Sequence, residues 1–114
     1  MAADCLFCKI CQGDIPAKKM YEDEQVMAFW DISPQAPVHF LVIPKKHIAG
    51  PAAMGEEDAA LVGRLLHVAS RQAAEHGVGD HFRMVMNNGT EAGQTVFHMH
   101  LHVLGGRKMD WPPG

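Results

Sequence analysis

Histidine occupies three alternate positions near the C-terminus, His98, His100 and His102, and apolar Met99, Leu101 and Val103 alternate with them. Successive side chains of a β-strand point to opposite faces, so residues two apart share a face. As a strand, this stretch projects three imidazoles from one side, with alternate Cα atoms about 6.5–7 Å apart. The apolar residues turn the other way, into a core. The pattern demands a sheet with one packed face and one face free for chemistry. Imidazole titrates near neutrality and serves as nucleophile, proton carrier or metal ligand. A row of three suits either phosphorus chemistry or a metal site, including one catalytic zinc held by all three.

The remaining pattern supplies the other elements. Residues 6–11 are apolar around Lys9, and Gly13 follows as a stop, which predicts a short helix. Residues 18–21 and 25–32 read as a hairpin around an acidic corner, with Val26, Ala28 and Trp30 on one side and Met27, Phe29 and Asp31 on the other. A proline-rich turn over 33–37 precedes a buried strand over 38–43. Leu61, Val62, Leu65, Leu66, Val68 and Ala69 recur at helical spacing, predicting one long helix that ends near Glu75 before Gly77. Strands over 82–86 and 96–104 complete five, joined by a loop over 87–94. The expected fold is α+β: a five-stranded antiparallel sheet, one long and one short helix, and one covered face.

Length and composition narrow the classes. A chain of 114 residues suits a single domain spanning 1–114. With 47% hydrophobic and 20% charged residues it reads as globular rather than disordered. A net charge of −3 without long single-sign blocks speaks against a nucleic-acid partner, and no apolar run reaches membrane-span length. The N-terminus lacks the basic and apolar regions of a signal peptide, so the expected location is cytoplasmic.

Two clusters carry further chemistry. Gly89, Gly93 and Thr95, with Asn87, resemble parts of an anion cradle, because glycine lets backbone N–H groups approach an oxyanion. Alone, such a loop reads first as a glycine-dependent turn; directly before three histidines the balance reverses and it reads as a phosphate site. Cys5 and Cys8 form a CxxC pair of the kind zinc knuckles use, or are simply small buried residues. Cys11 extends the spacing and reads as core or a free thiol. His67, His76 and His81 fall on or after the long helix and read as surface or packing residues.

The segment from Gly93 to Gly106, GQTVFHMHLHVLGG, resembles the signature of the histidine triad (HIT) superfamily. DISPQAP over 31–37, HFLVIPKKHI over 39–48 and the ending WPPG add matches in the order of the Hint branch, the histidine triad nucleotide-binding proteins. That resemblance implies a HIT-like fold and a homodimeric purine nucleoside phosphoramidase, splitting an AMP-type nucleotide from an amine through a nucleotidyl-histidine. It implies His100 as nucleophile, with its other ring nitrogen against the His98 carbonyl. It gives His102 a phosphoryl oxygen to hydrogen-bond and His39 a supporting place. Asn87, Thr95 and the Gly93 backbone would hold the remaining phosphoryl oxygens.

The resemblance also implies Asp31 as acceptor for the ribose hydroxyls, and Phe7, Ile10, Phe29 and Ile32 as the apolar slot for the purine. On sequence alone those four are ordinary core. The tail, 105–114, would reach the neighbouring subunit's site, bringing Trp111. Cys5 and Cys8 depart from many Hint proteins and resemble zinc-bearing members of the wider superfamily, whose other ligands match His47 and His98. Two other functions remain open: a dinucleoside polyphosphate hydrolase of another HIT branch, and a zinc- or nucleotide-binding adaptor without turnover.

Overall fold

The structure, a computed structural model, describes residues 4–114. Helix α1 (Leu6–Gln12) comes first, then strands β1 (Lys19–Glu22), β2 (Val26–Trp30) and β3 (Val38–Pro44). Helix α2 (Ala59–Glu75), β4 (Phe82–Val85) and β5 (Leu101–Gly105) complete the order. The strands form one antiparallel sheet in the order β1-β2-β3-β5-β4. Both glycine stops hold. Gly13 and Gly77 adopt left-handed φ values of 83° and 80° directly after the helical segments, a conformation glycine reaches without steric cost.

Alternation assigns the faces. Val26, Ala28, Phe40, Val42, Leu101 and Val103 pack beneath α2, which contributes Leu65, Val68, Ala69 and Ala73. Trp30 joins that side, its ring edge-on to Phe40 and His76. Met27, Phe29, Leu41 and Ile43 point the other way, where Phe7 and Ile10 of α1 cover them. The expectation of a single covered face is therefore corrected. The centre of the sheet is packed on both sides, because β2 and β3 carry apolar residues at odd and even positions alike.

A second correction concerns the histidine strand. Ladder pairing of β5 starts at Leu101, opposite Val42, so His98 and His100 precede the strand and only His102 lies within it. The partner strand β3 closes at Pro44, which has no N–H to donate. Across 98–100 the backbone bonds elsewhere: Met99 N–H donates to the Ile48 carbonyl at 2.6 Å, and the His98 carbonyl accepts from the His100 ring at 2.8 Å. The side chains nevertheless alternate as expected, with Met99 buried in the α2 core. No described helix is long and apolar enough to cross a membrane.

Candidate functional site

The free part of the α1 face holds the chemistry. In β3, His39 and Leu41 point to this side, and Leu41 sits opposite His102 in β5, so His39 and His102 are diagonal cross-strand neighbours. His39 Nε2 lies 3.0 Å from His102 Nδ1. Hydrogen-bond partners settle the tautomers. Gln35 N–H donates to His39 Nδ1 at 3.0 Å, so neutral His39 carries its proton on Nε2 and donates it to His102 Nδ1. His102 then carries its proton on Nε2. Asp31 Oδ2 stands 3.4 Å from His39 Nε2 and 3.9 Å from His102 Nδ1.

His100 is oriented differently. Its Nδ1–H donates to the His98 carbonyl at 2.8 Å, which in the neutral ring assigns the lone pair to Nε2. The ring is buried, with Phe7 edge-on at 5.2 Å and His102 at 5.0 Å between centroids. His100 and His102 line a cleft of about 280 Å³ together with Phe7, Ile10, Phe29, Asp31, Ile32 and Thr95. An adjoining hollow of about 840 Å³ shares Ile10, Phe29, Asp31 and Ile32 and adds His39. Eight residues expected of a site thus meet in one cleft, and His39 stands beside it. Its walls combine an apolar slot, a carboxylate and two imidazoles.

Three expected residues lie apart within this one chain. Asn87 and Gly93 line neither hollow; Gly93, in a left-handed turn at φ 98°, sits beside the Asn87 amide. Trp111 is 81% exposed. Gln94 was missed by sequence reasoning. Buried, it accepts from Gly89 N–H at 2.8 Å and donates to the carbonyls of Ala49 at 2.6 Å and Val96 at 3.1 Å, fastening the glycine loop to the segment that follows β3. A lone glutamine in a polar loop carries no periodic signal. Gln35 carries no signal in its side chain, because its contribution to His39 comes from the backbone N–H.

Electrostatics follow burial. Desolvation pushes the His102 pKa down to about 4, with the His100 and His39 rings adding to the effect and Asp31 opposing it. Burial also lowers His39, again against Asp31. Cys11 is raised to about 11, chiefly by burial, which makes it an inert thiol at neutral pH.

His98 turns to a second cluster. Its Nε2–H donates to the Pro44 carbonyl at 2.7 Å, so its Nδ1 is bare and faces Cys5 Sγ at 3.3 Å, Cys8 Sγ at 3.5 Å and His47 Nδ1 at 3.2 Å. Cys8 Sγ lies 3.3 Å from His47 Nδ1. Metal–nitrogen bonds of about 2.0–2.1 Å and metal–sulfur bonds of about 2.3 Å, at tetrahedral angles, separate ligand atoms by about 3.3–3.8 Å. The observed edges match that frame, so the four residues form a group that can hold a metal ion. Cys5 caps α1 and its Sγ accepts from Cys8 N–H. The three triad histidines do not converge on one point, which removes the reading of a single metal held by all three.

Asp31, His39 and His102 also lie close enough to suggest a cation site. The Gln35 amide argues otherwise, because it leaves the His39 proton on Nε2, the atom that would have to ligate.

Comparison with known proteins agrees with this architecture. Residues 12–109 match the HIT domain family; the match begins within α1, after Cys5 and Cys8, and ends before Trp111. A HIT-like protein of Synechocystis is 56% identical over 114 residues, the whole of both chains. The crystal structure of a HIT family hydrolase from Legionella pneumophila superposes with a TM-score of 0.95 at 49% identity, covering 97% of this chain and 100% of that one. A histidine triad nucleotide-binding protein from Candida albicans gives 0.81 at 30% identity, covering 96% and 83%. The chain belongs to the HIT domain family.

Proposed function

We propose that the protein is a hydrolase that cleaves purine nucleoside 5′-phosphoramidates to a nucleoside monophosphate and an amine. The observation that carries this reading is the His100 ring. Its Nδ1–H is held by the His98 carbonyl, so the lone pair of Nε2 is available within the cleft, beside the Nε2–H of His102. In the neutral ring this tautomer presents the nucleophilic nitrogen to phosphorus. In the first step a bond forms between His100 Nε2 and phosphorus, and the phosphorus–nitrogen bond of the substrate breaks. The amine departs with that electron pair and takes up a proton. In the second step the oxygen of a water molecule bonds to phosphorus, the histidine–phosphorus bond breaks, and the nucleoside monophosphate is released.

The other residues divide between charge and fit. His102 donates through Nε2–H to a phosphoryl oxygen, where negative charge builds in the transition state. Asn87, Thr95 and the Gly93 amide take the remaining oxygens, and His39 holds His102 in its donor tautomer. Asp31 accepts from the ribose hydroxyls, and Phe7, Ile10, Phe29 and Ile32 enclose the base. Two chains pair as a homodimer, and Trp111 of each tail completes the leaving-group side of its neighbour. Cys5, Cys8, His47 and His98 would hold a structural zinc ion, which would supply a cross-link between α1 and the sheet.

Incubation with adenosine 5′-phosphoramidate should release AMP, and His100→Ala should abolish the reaction. Undiminished hydrolysis by that variant removes the nucleophile assignment. Diadenosine polyphosphate cleaved with a higher kcat/KM than the phosphoramidate would move the protein to a different reaction of the family. Binding of AMP with no turnover of either substrate would make it an adaptor.

A further inference from the structure

We infer that a metal ion held by Cys5, Cys8, His47 and His98 positions the nucleophile, acting on His100 through the His98 backbone on one side and through Phe7 of α1 on the other. The kinetic part of the test rests on the phosphoramidase reading; the inference itself rests on geometry.

The first route runs through one residue. His98 is fully buried and tied at both ring nitrogens, Nδ1 to the cysteine cluster and Nε2 to the Pro44 carbonyl. Its own carbonyl is the acceptor that assigns the His100 tautomer. Residues 98–100 lie before the first ladder pair of β5, so they lack the sheet bonds that would hold this carbonyl in place. What holds them is Met99 N–H on the Ile48 carbonyl, next to the ligand His47, and the His98 ring itself. Fixing the ring of His98 against His47 therefore fixes the acceptor that His100 needs.

The second route runs through α1. A helix of seven residues does not persist on its own in water, so α1 depends on what anchors it. Cys5 and Cys8 are ligand candidates at its N-terminus, and Phe7 lies between them. The Phe7 ring meets His100 edge-on at 5.2 Å and 89°, and meets His98 at 5.9 Å and 72°. It stands on Phe29 at 5.5 Å. Edge-to-face contact favours one setting of the imidazole plane over its alternatives. Phe7 is thus a positioning residue as well as a wall of the cleft. The cluster grips the helix at the turn that carries it.

The test compares protein purified with its metal, protein stripped by a chelator, and stripped protein reloaded with Zn2+. The first readout is the 15N spectrum of the histidine rings at neutral pH. A fixed tautomer shows one protonated and one bare nitrogen for His100; exchanging tautomers show averaged signals. We expect the fixed pattern with metal, averaging without it, and recovery on reloading. We also expect kcat for adenosine 5′-phosphoramidate to fall roughly tenfold or more without metal, by a larger factor than KM rises.

An unchanged His100 spectrum and an unchanged kcat in the stripped protein would overturn the inference. If no form hydrolyses the phosphoramidate while all bind AMP, the phosphoramidase reading fails and the 15N spectra alone decide the positioning role. Should stripping unfold the chain, Phe7→Leu keeps all four ligands. It should retain full metal content and show averaged His100 ring-nitrogen signals, and a fixed His100 pattern like that of the parent would overturn the Phe7 route.

Discussion

His98, His100 and His102 share a residue type and a spacing, yet each ring is defined by what its nitrogens face. His98 meets sulfur and the Pro44 carbonyl, His100 its neighbour's carbonyl, and His102 the Nε2–H of His39. Spacing told that the three would share a face; it could not tell which carbonyl or thiol each would meet, since those partners lie 54 to 93 residues away, or in the local turn. The burial of His102 has a measurable consequence. Its pKa is about 4 in the folded chain against an ordinary value near 6.5 when unfolded. Between those values the unfolded chain binds a proton that the folded chain refuses. The stability this residue contributes is therefore present above about pH 6.5 and drains away as pH falls toward 4. The urea midpoint should decline from pH 7 to pH 5, and His102→Gln should flatten that decline. Equal slopes for the two proteins would contradict the assignment.

At the scale of elements, the helices and the core strands were legible because their periodicity is strong and their ends are marked. Gly13 and Gly77 end helical segments where left-handed backbone is needed, and β2 and β3 sort their side chains by alternation. The N-terminal half of the predicted last strand was not legible. Its residues alternate as a strand would, but β3 runs out at Pro44 and offers no partner. The glycine loop shows the same limit. Its conformation depends on Gln94, whose buried amide bridges Gly89, Ala49 and Val96. Gln94→Ala leaves the Gly89 N–H and two carbonyls without that partner and should cost about 1–3 kcal/mol in stability. It should also raise KM for the phosphoramidate, because the loop carries Gly93 and Thr95. A stability within about 0.5 kcal/mol of the parent would show that the loop holds itself.

At the scale of the whole molecule, one sheet separates two tasks. Beneath α2 lies the larger apolar core, and on the α1 side the metal group and the cleft lie next to each other, sharing the 98–100 segment. The class of fold was readable from sequence, whereas the two-sided packing was not, because a seven-residue helix gives too short a pattern to show which face it covers. Strand β4 ends the sheet with an unpaired edge, and Trp111 stands exposed in the tail. Both features suit pairing with a second copy, so sedimentation at micromolar concentration should give a dimer, and Trp111→Ala should change the preference among amine leaving groups; a monomer would contradict the shared-site proposal. The proposed chemistry turns on a single bond, between phosphorus and His100 Nε2. Its most direct test is to quench the protein during turnover of adenosine 5′-phosphoramidate and map the modified peptide by mass spectrometry. An adenylyl group is expected on His100 and is expected to be absent from His100→Ala. An adduct on another residue, or full turnover by that variant, would contradict it.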